Sequence, residues 1–298
     1  MKILLLGKNG QVGWELQRAL APLGELVALG SDSPAPLAAD FSEPESLAAT
    51  VRAVAPQIIV NAAAHTAVDK AESEPELARA LNATAPGVLA REAATLGAWL
   101  MHYSTDYVFD GSGSTPWHED SPTGPLGVYG ATKLEGEEAI RASGCRHLIF
   151  RTSWVYAARG GNFAKTMLKL AKERDKLTVI ADQIGAPTGA DLLADLTAHA
   201  LRAAHARPEL AGTYHAVAQG ATSWHGYARH VIEFARAAGQ PIRVAPEAVE
   251  AVPTSAFPTP AKRPHNSRLD TAKLRHAFGL TLPPWQAGVE RMLTEVLS

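Results

Sequence analysis

The sequence predicts an α/β fold in which a doubly wound parallel sheet is followed by a smaller, mixed α/β domain. In the first half, short apolar runs alternate with longer segments of helical periodicity, which is typical of repeated strand–helix–strand units. The runs are apolar at successive positions, as in ILLL and IIV. Such runs indicate strands that helices cover on both faces, as in a parallel sheet.

Each element has a local signal. The apolar runs predict strands at 2–6, 25–29, 57–61, 98–104 and 146–152, and helices are expected to start near Gly10, Pro44, Pro75 and Val128. Later helices are predicted at 162–173, 191–203 and 223–238. Residues 245–264 contain five prolines, so we predict an ordered, extended loop there and no central strand.

The pattern also predicts the domain organisation. We expect residues 1–154 to form a dinucleotide-binding domain, to which segments of about 177–200 and 212–222 return. Residues 155–298 are expected to form mainly a substrate domain, with a cleft between the two.

Composition and charge exclude several classes of function. The chain has 298 residues with 28 basic and 30 acidic side chains, and no block of like charges typical of nucleic-acid or membrane-surface binders. We therefore expect a small-molecule partner or a second copy of the chain. The single cysteine, Cys145, cannot form an internal disulfide, and the first apolar run is far shorter than a signal-peptide core. A cytoplasmic location and a buried thiol are expected.

A glycine-rich turn follows the first predicted strand and opens the first helix. Gly7, Gly10 and Gly13 recur at three-residue spacing in GKNGQVG. One glycine permits the tight turn, one lets the backbone approach a pyrophosphate, and one lets helix and strand pack closely. The free amides at the start of the helix suit a phosphate. This arrangement predicts a dinucleotide site on a Rossmann-type sheet.

A second motif predicts carbonyl reduction. Tyr129 and Lys133 are four residues apart in YGATK and so share one face of a helix, and Thr105 follows the fourth strand, where ligands of parallel sheets bind. A ketone that accepts hydride needs a proton, which Tyr129 could donate. A nearby ammonium would lower the pKa of the phenol, and Thr105, or less favourably Ser104, would align the carbonyl oxygen. The alternative is a surface tyrosine beside a solvated lysine.

Together these motifs resemble the extended short-chain dehydrogenase/reductase superfamily and, within it, the dTDP-4-dehydrorhamnose reductase family. The segments that carry the resemblance are GKNGQVGWEL, VNAAAHTAVDKAE, HYSTDYVFDG, YGATKLEGE, FRTSWVY, NFAKTML, QIGAPTGA, PTPAKRPHNSRLDT and WQAGVERML. They span almost the whole chain.

The resemblance implies roles for individual residues. The catalytic residues would be Thr105, Tyr129 and Lys133. The cofactor would contact Gly7, Gly10, Gln11, Val12, Gly13, Asp40, Phe41, Ala64, His65, Thr66, Tyr129 and Lys133. The substrate would contact Thr105, Asp106, Trp154, Asn162 with Phe163, Gln183 and Arg268. Trp154 as a core aromatic, His65 as a structural loop residue and Arg263 or Lys262 as the diphosphate ligand remain alternatives.

The end of the second strand bears on the choice of cofactor. A carboxylate there selects NAD by binding the ribose hydroxyls, and the family often has one where this chain has Gly30. Its absence, with Lys8 in the glycine turn, favours NADPH. Asp32 could reach the same place, so NADH remains possible.

The resemblance also implies a homodimer and, in some members, a bridging Mg²⁺. Glu15, Asp191 and Glu295 fall in the corresponding segments, and hard oxygen ligands suit Mg²⁺. Three solvated acids on helix surfaces are the alternative.

The implied reaction is reduction of the C4 ketone of dTDP-4-dehydro-L-rhamnose by NAD(P)H. The product would be dTDP-L-rhamnose, a precursor of cell-surface polysaccharides such as the O-antigen. Another nucleotide-sugar reductase or epimerase of the superfamily, and a non-catalytic regulatory subunit on the same fold, are the alternatives.

Overall fold

The computed structural model describes residues 1–34 and 36–298. Its strands are β1 Lys2–Leu6, β2 Glu25–Leu29, β3 Ile58–Asn61, β4 Trp99–Thr105, β5 Arg146–Thr152, β6 Val155–Tyr156, β7 Leu177–Ile180, β8 Ile184–Gly185, β9 Thr188–Gly189, β10 Gly212–His215, β11 Thr222–Ser223 and β12 Val249–Val252. Its α-helices are α1 Gln11–Leu20, α2 Pro44–Val54, α3 Val68–Ser73, α4 Pro75–Arg79, α5 Ala85–Leu96, α6 Val128–Ala142, α7 Phe163–Glu173, α8 Ala190–Ala206, α9 Trp224–Ala237, α10 Ala272–Phe278 and α11 Trp285–Leu297.

A six-stranded parallel sheet organises the chain, in the order β10-β5-β4-β3-β1-β2. The predicted α/β class with a doubly wound parallel sheet is confirmed. The strands predicted at 2–6, 25–29 and 146–152 have the expected bounds, and the other two begin one residue later. The strand order reverses between β1 and β3, so a crevice opens at their carboxyl ends.

Alternate residues of each strand supply two separate cores. On β1, Ile3 and Leu5 pack in a cluster with residues of α1 and α8. Leu4 and Leu6 belong to a cluster with residues of α2, α5 and α6 on the opposite face. The strand reads as an unbroken apolar run because helices cover both of its faces.

A separate core joins the elements of the second half. Its buried members include Met167 on α7, Val231 on α9, and Trp285 and Val289 on α11. Strand β10 instead returns to the large sheet, where Gly212–His215 pairs in parallel with β5.

The proline-rich segment differs from its prediction. Residues 245–264 were expected to be loop throughout, but β12 forms within them and pairs in parallel with β7. The strand lies between Pro246 and Pro253 and contains no proline, so its backbone amides are all available to the ladder.

Two further observations concern the chain as a whole. Cys145 is buried, as expected. Among the described residues, no helix is both long and apolar enough to cross a membrane.

Candidate active site

A cleft of about 670 Å³ lies at the carboxyl ends of the parallel strands. The glycine turn after β1, the segments that follow β3 and β4, and the first turns of α6 form one side. Trp154 and Trp224 close it from the second half of the chain. The cleft therefore coincides with the point where open α/β sheets bind their ligands.

The glycine turn is built as its spacing predicts. Gly7 has a φ of +87°, and a Cβ there would lie 2.7 Å from the backbone nitrogen of Ala63. A Cβ on Gly13 would overlap the Gly7 carbonyl oxygen, so this glycine lets α1 pack on the turn. No side chain caps α1 at Gly10, and the buried Gln11 Oε1 has no partner. The free backbone amides at this helix start fit a dinucleotide pyrophosphate.

Helix α6 brings Tyr129 and Lys133 to the cleft beside Thr105. A Cβ on Gly130 would overlap the carbonyl oxygen of Tyr107, so glycine is needed at this position for the helix to begin so close to β4. The buried Lys133 Nζ donates to the Tyr103 carbonyl oxygen at 2.6 Å and lies 3.2 Å from His102 Nε2.

The phenol of Tyr129 is held in its protonated form. Burial raises the pKa of Tyr129 to about 12, the nearby Asp106 acts in the same direction, and a hydrogen bond with Thr105 acts against them. The expectation that Lys133 lowers this pKa is not met, because the Lys133 Nζ is directed to the Tyr103 carbonyl oxygen and His102. A neutral phenol is the form that can donate a proton.

Asp106 offers an open acceptor beside Thr105. The Thr105 hydroxyl donates to Asp106 Oδ1 at 3.1 Å, while the buried Oδ2 has no partner. Burial raises the pKa of Asp106 to about 6, opposed by hydrogen bonds from Ser267 and Thr105. The carboxylate can therefore receive a ligand hydroxyl from the cleft.

Two stacked indoles form the far wall. Trp154 has a φ of +49°, an uncommon conformation for a bulky residue that tends to mark ligand sites. Its ring lies 3.6 Å from that of Trp224, centroid to centroid. A Cβ on Gly185 would lie 2.8 Å from the Trp154 ring, so the QIGAPTG segment leaves space for this indole.

The structure brings most of the predicted site residues to this one cleft. Those that line it are Gly7, Gly10, Gln11, Val12, Asp40, Phe41, Ala64, Thr66, Thr105, Asp106, Tyr129, Lys133 and Trp154. The other predicted residues lie behind it or elsewhere.

Two predicted substrate residues support the wall of the cleft from behind. Gln183 Oε1 accepts a hydrogen bond from Trp224 Nε1 at 3.0 Å, so its side chain orients that indole. Asn162 caps α7 by accepting from the Lys165 amide at 3.1 Å.

His65 and Arg268 point away from the cleft. His65 Nε2 faces Glu74 at 3.5 Å. Arg268 lines a separate cavity of about 490 Å³, and its guanidinium donates to the Ser114 carbonyl oxygen at 2.7 Å. Of the two rival cations, Arg263 pairs with both carboxylate oxygens of Asp69.

The Asp32 carboxylate lies beside the end of the cleft that follows β2. Asn9, Gly30 and Ser31 line this end, and Asn9 Nδ2 donates to Asp32 Oδ1 at 2.8 Å. A Cβ on Gly30 would lie 2.6 Å from that same oxygen. Asp32 thus places a carboxylate where a side chain on residue 30 would begin.

The metal ligands suggested by the sequence do not come together within one chain. Glu15 pairs with Arg18 at 3.3 Å, and Asp191 faces Arg291 at 3.5 Å. Across residues 1–34 and 36–298, no group of three or more histidine, cysteine or acidic side chains could hold a metal ion. The expected set of Glu15, Asp191 and Glu295 is therefore not supported.

Three residues of the site were missed from the sequence. Trp224 follows the helix-capping Ser223 and has no local pattern of its own. Asn61 and His102 could have been noticed, because each is a polar residue that directly follows an apolar run within a strand, as in IIVN and WLMHYST.

A glycine turn on a doubly wound sheet, with a threonine at a strand end and a tyrosine and a lysine on the adjacent helix, defines the short-chain dehydrogenase/reductase class of oxidoreductases. Residues 1–298 match the family described as "RmlD substrate binding domain". The dTDP-4-dehydrorhamnose reductase of Shigella flexneri is 62% identical over 298 residues, which cover 100% of this chain and 99% of that protein.

Solved structures of similar proteins superimpose on this chain over almost its full length. A dTDP-4-dehydrorhamnose reductase from Clostridium acetobutylicum superimposes with a TM-score of 0.89 at 34% identity and covers 100% of both chains. The Bacillus anthracis dTDP-4-dehydrorhamnose reductase, in complex with NADP, gives 0.88 at 34% identity over 99% of this chain and 100% of that one. The chain belongs to the dTDP-4-dehydrorhamnose reductase family.

Proposed function

We propose that this protein reduces the C4 ketone of dTDP-4-dehydro-L-rhamnose to dTDP-L-rhamnose with NADPH, the last step in the synthesis of that activated sugar. The observation that carries the proposal is the convergence of Thr105, Tyr129 and Lys133 on the cleft that the glycine turn opens. The full-length likeness to reductases of this name supports the choice of substrate.

Each side chain has a separate role in the proposed carbonyl reduction. Bound NADPH supplies the hydride that adds to C4. Tyr129 donates its phenolic proton to the carbonyl oxygen, so that the ketone becomes an alcohol. Thr105 hydrogen-bonds the same oxygen and aligns it with the phenol, and Lys133 contacts the cofactor ribose.

The sugar and its nucleotide occupy the other half of the cleft. In this proposal Trp154 lies against the sugar ring and Asp106 accepts hydrogen bonds from the sugar hydroxyls. Trp224 and Gln183 keep the indole wall in place. The second core, in residues 155–298, forms the substrate domain.

For the cofactor we propose NADPH, with NADH also accepted. The NADP complex of the Bacillus anthracis relative supports the first. The Asp32 carboxylate beside Gly30 supports the second, because a carboxylate at this strand end binds the ribose hydroxyls of NADH.

We also propose a cytoplasmic homodimer whose product feeds the synthesis of cell-surface polysaccharides. The single buried cysteine suits a reducing compartment. Size-exclusion chromatography with light scattering measures the molar mass of the protein. Runs with EDTA and with Mg²⁺ show whether dimer formation depends on metal.

The test follows nicotinamide absorbance with purified protein, NADPH and dTDP-4-dehydro-L-rhamnose generated enzymatically in the cuvette. We expect rapid oxidation that falls by about 100- to 10,000-fold in Tyr129→Phe, while NADPH binding is retained. Tyr214→Phe is the matched control, since the Tyr214 hydroxyl only donates to the Leu210 carbonyl oxygen. Cofactor binding without oxidation would contradict the proposal and turn the search to other nucleotide sugars and to a protein partner.

A further inference from the structure

Two buried polar residues beside Lys133 have no part in the proposed reaction. Asn61 on β3 and His102 on β4 are direct partners in the parallel ladder, and both are almost completely buried. They connect the backbone at Ala63, which lines the cleft, to the side chain of Lys133.

The direction of each hydrogen bond in this connection is determined. The Ala63 amide donates to Asn61 Oδ1 at 3.0 Å, so Asn61 must turn its Nδ2 toward His102. Nδ2 is a donor, and it lies 3.0 Å from His102 Nδ1, which must therefore accept.

The imidazole is then left with its proton on Nε2. Burial lowers the pKa of His102 well below 6.5, so the ring is neutral and carries a single N–H. Because Nδ1 accepts, that N–H is on Nε2.

The Nε2–H group faces Lys133 Nζ at 3.2 Å. An ammonium has three donors and no lone pair, whereas an uncharged amine can accept this bond. The amine still has a proton to donate to the Tyr103 carbonyl oxygen at 2.6 Å. We call the hydrogen bonds that run from the Ala63 amide through Asn61, His102 and Lys133 to the Tyr103 carbonyl oxygen the series. All of them can form together only when Lys133 is uncharged.

We propose that Asn61 and His102 are positioning residues that hold Lys133 as an uncharged amine in the free protein. Protonation of Lys133 would require His102 to change tautomer and Asn61 to turn its amide. The Ala63 amide would then lose its acceptor and face the cleft as a free donor. The charge of Lys133 is thereby coupled to a backbone donor in the cofactor site.

The burial of Lys133 acts in the same direction as the His102 contact. His102 on β4 faces its Nζ, and Glu137 lies one turn further along α6, where it is paired with Arg151 of β5. Burial lowers the pKa of Lys133 to about 8, and Glu137 acts in the opposite direction. The donor from His102 adds to the lowering.

The proposal concerns the free protein and is independent of turnover, although its value for catalysis rests on the proposed function. It is tested by NMR on protein labelled with ¹³C at lysine Cε, with the Lys133 signal assigned by its loss in Lys133→Met. We expect the Lys133 side chain to be mainly uncharged at pH 7, which requires a pKa lower than the value of about 8 that burial and Glu137 give. A Lys133 side chain that stays mainly protonated at pH 7 would overturn the proposal. In ¹⁵N spectra the His102 ring should be the Nε2–H tautomer, and the Nδ1–H tautomer would contradict the argument.

An isosteric variant should reverse the donor and acceptor roles of the His102 ring nitrogens. In Asn61→Asp the new carboxylate accepts from both the Ala63 amide and His102 Nδ1–H, so Nε2 presents a lone pair to Lys133. We expect the proton affinity of Lys133 to rise at least about tenfold, a shift of about one pH unit. His102→Phe, which removes the N–H but keeps a ring, should raise it as well and is the second variant if Asn61→Asp does not fold.

Asn82→Asp is the matched control for an added buried acid. Asn82 is buried and donates to Thr132, the neighbour of Lys133, but it lies outside the series. Asn82→Asp should shift the pKa of Lys133 clearly less than Asn61→Asp does. Equal shifts in the two variants would show a general charge effect and overturn the proposal. A reductase assay that fails would leave these titrations unchanged, so the two proposals can fail separately.

Discussion

The raised pKa of Asp106 predicts an acid limb in the pH profile of kcat/KM. With a pKa of about 6, the carboxyl is about 90% ionised at pH 7 and about 10% ionised at pH 5. The ionised form is the stronger acceptor for a sugar hydroxyl. If only this form binds substrate productively, kcat/KM falls about tenfold between pH 7 and pH 5. The sign follows from burial, which penalises the charge and so moves protonation to higher pH.

Initial rates at low substrate and saturating NADPH measure this profile, because kcat/KM for the sugar then reports the pKa values of the enzyme–NADPH complex before the sugar binds. In Asp106→Asn the limb should disappear, and the neutral-pH value should fall by about 10- to 100-fold with the loss of a hydrogen bond to a charged group. Asp110→Asn is the control, since the exposed Asp110 accepts from the Ser112 amide, which lowers its pKa below 3.8. It should keep the wild-type profile.

Two results would refute this reasoning. The first is a flat wild-type profile between pH 5 and pH 7. The second is an Asp106→Asn variant that keeps a limb near pH 6, because another group would then be responsible for it.

Three further predictions concern stability, cofactor choice and the indole wall. Glu137→Gln breaks the buried bidentate pair with Arg151 at 2.9 and 2.7 Å and should lower the free energy of unfolding by about 3–5 kcal/mol; an unchanged thermal midpoint would contradict this. Asp32→Asn should tighten 2′,5′-ADP and weaken ADP by several-fold each in calorimetric titrations, because it removes a carboxylate from beside the ribose; equal changes for both ligands would argue against a role in selection. Trp224→Ala removes the ring stacked on Trp154 and should raise the substrate KM by about 3- to 10-fold with little change in NADPH affinity, whereas an unaltered KM would remove Trp224 from the site.

Much of the fold could be predicted because its signals are local. Strands covered on both faces give continuous apolar runs, so β1, β2 and β5 were predicted with the bounds that the structure shows. Gly7, Gly10 and Gly13 mark the cofactor turn because a turn and a helix start depend on neighbouring residues. Tyr129 and Lys133 share a helix face through their spacing alone.

Other features depend on contacts between distant segments. Gln183 and Trp224 are 41 residues apart, and nothing in either neighbourhood indicates that one orients the other. Arg268 has the charge that a diphosphate needs, but the fold directs it to Ser114.

The sequence by itself determined the class of sheet, the glycine turn and the three side chains to which we assign the proposed reaction, because periodicity and spacing act over a few residues. The tertiary structure decided which side chains face the cleft and the state of each proton within it. The pKa values of Asp106 and Tyr129, and the hydrogen bonds that reach Lys133 through Asn61 and His102, follow from burial between strands and helices that are far apart in the chain. Burial and donor direction are properties of the packed molecule, which no local pattern contains.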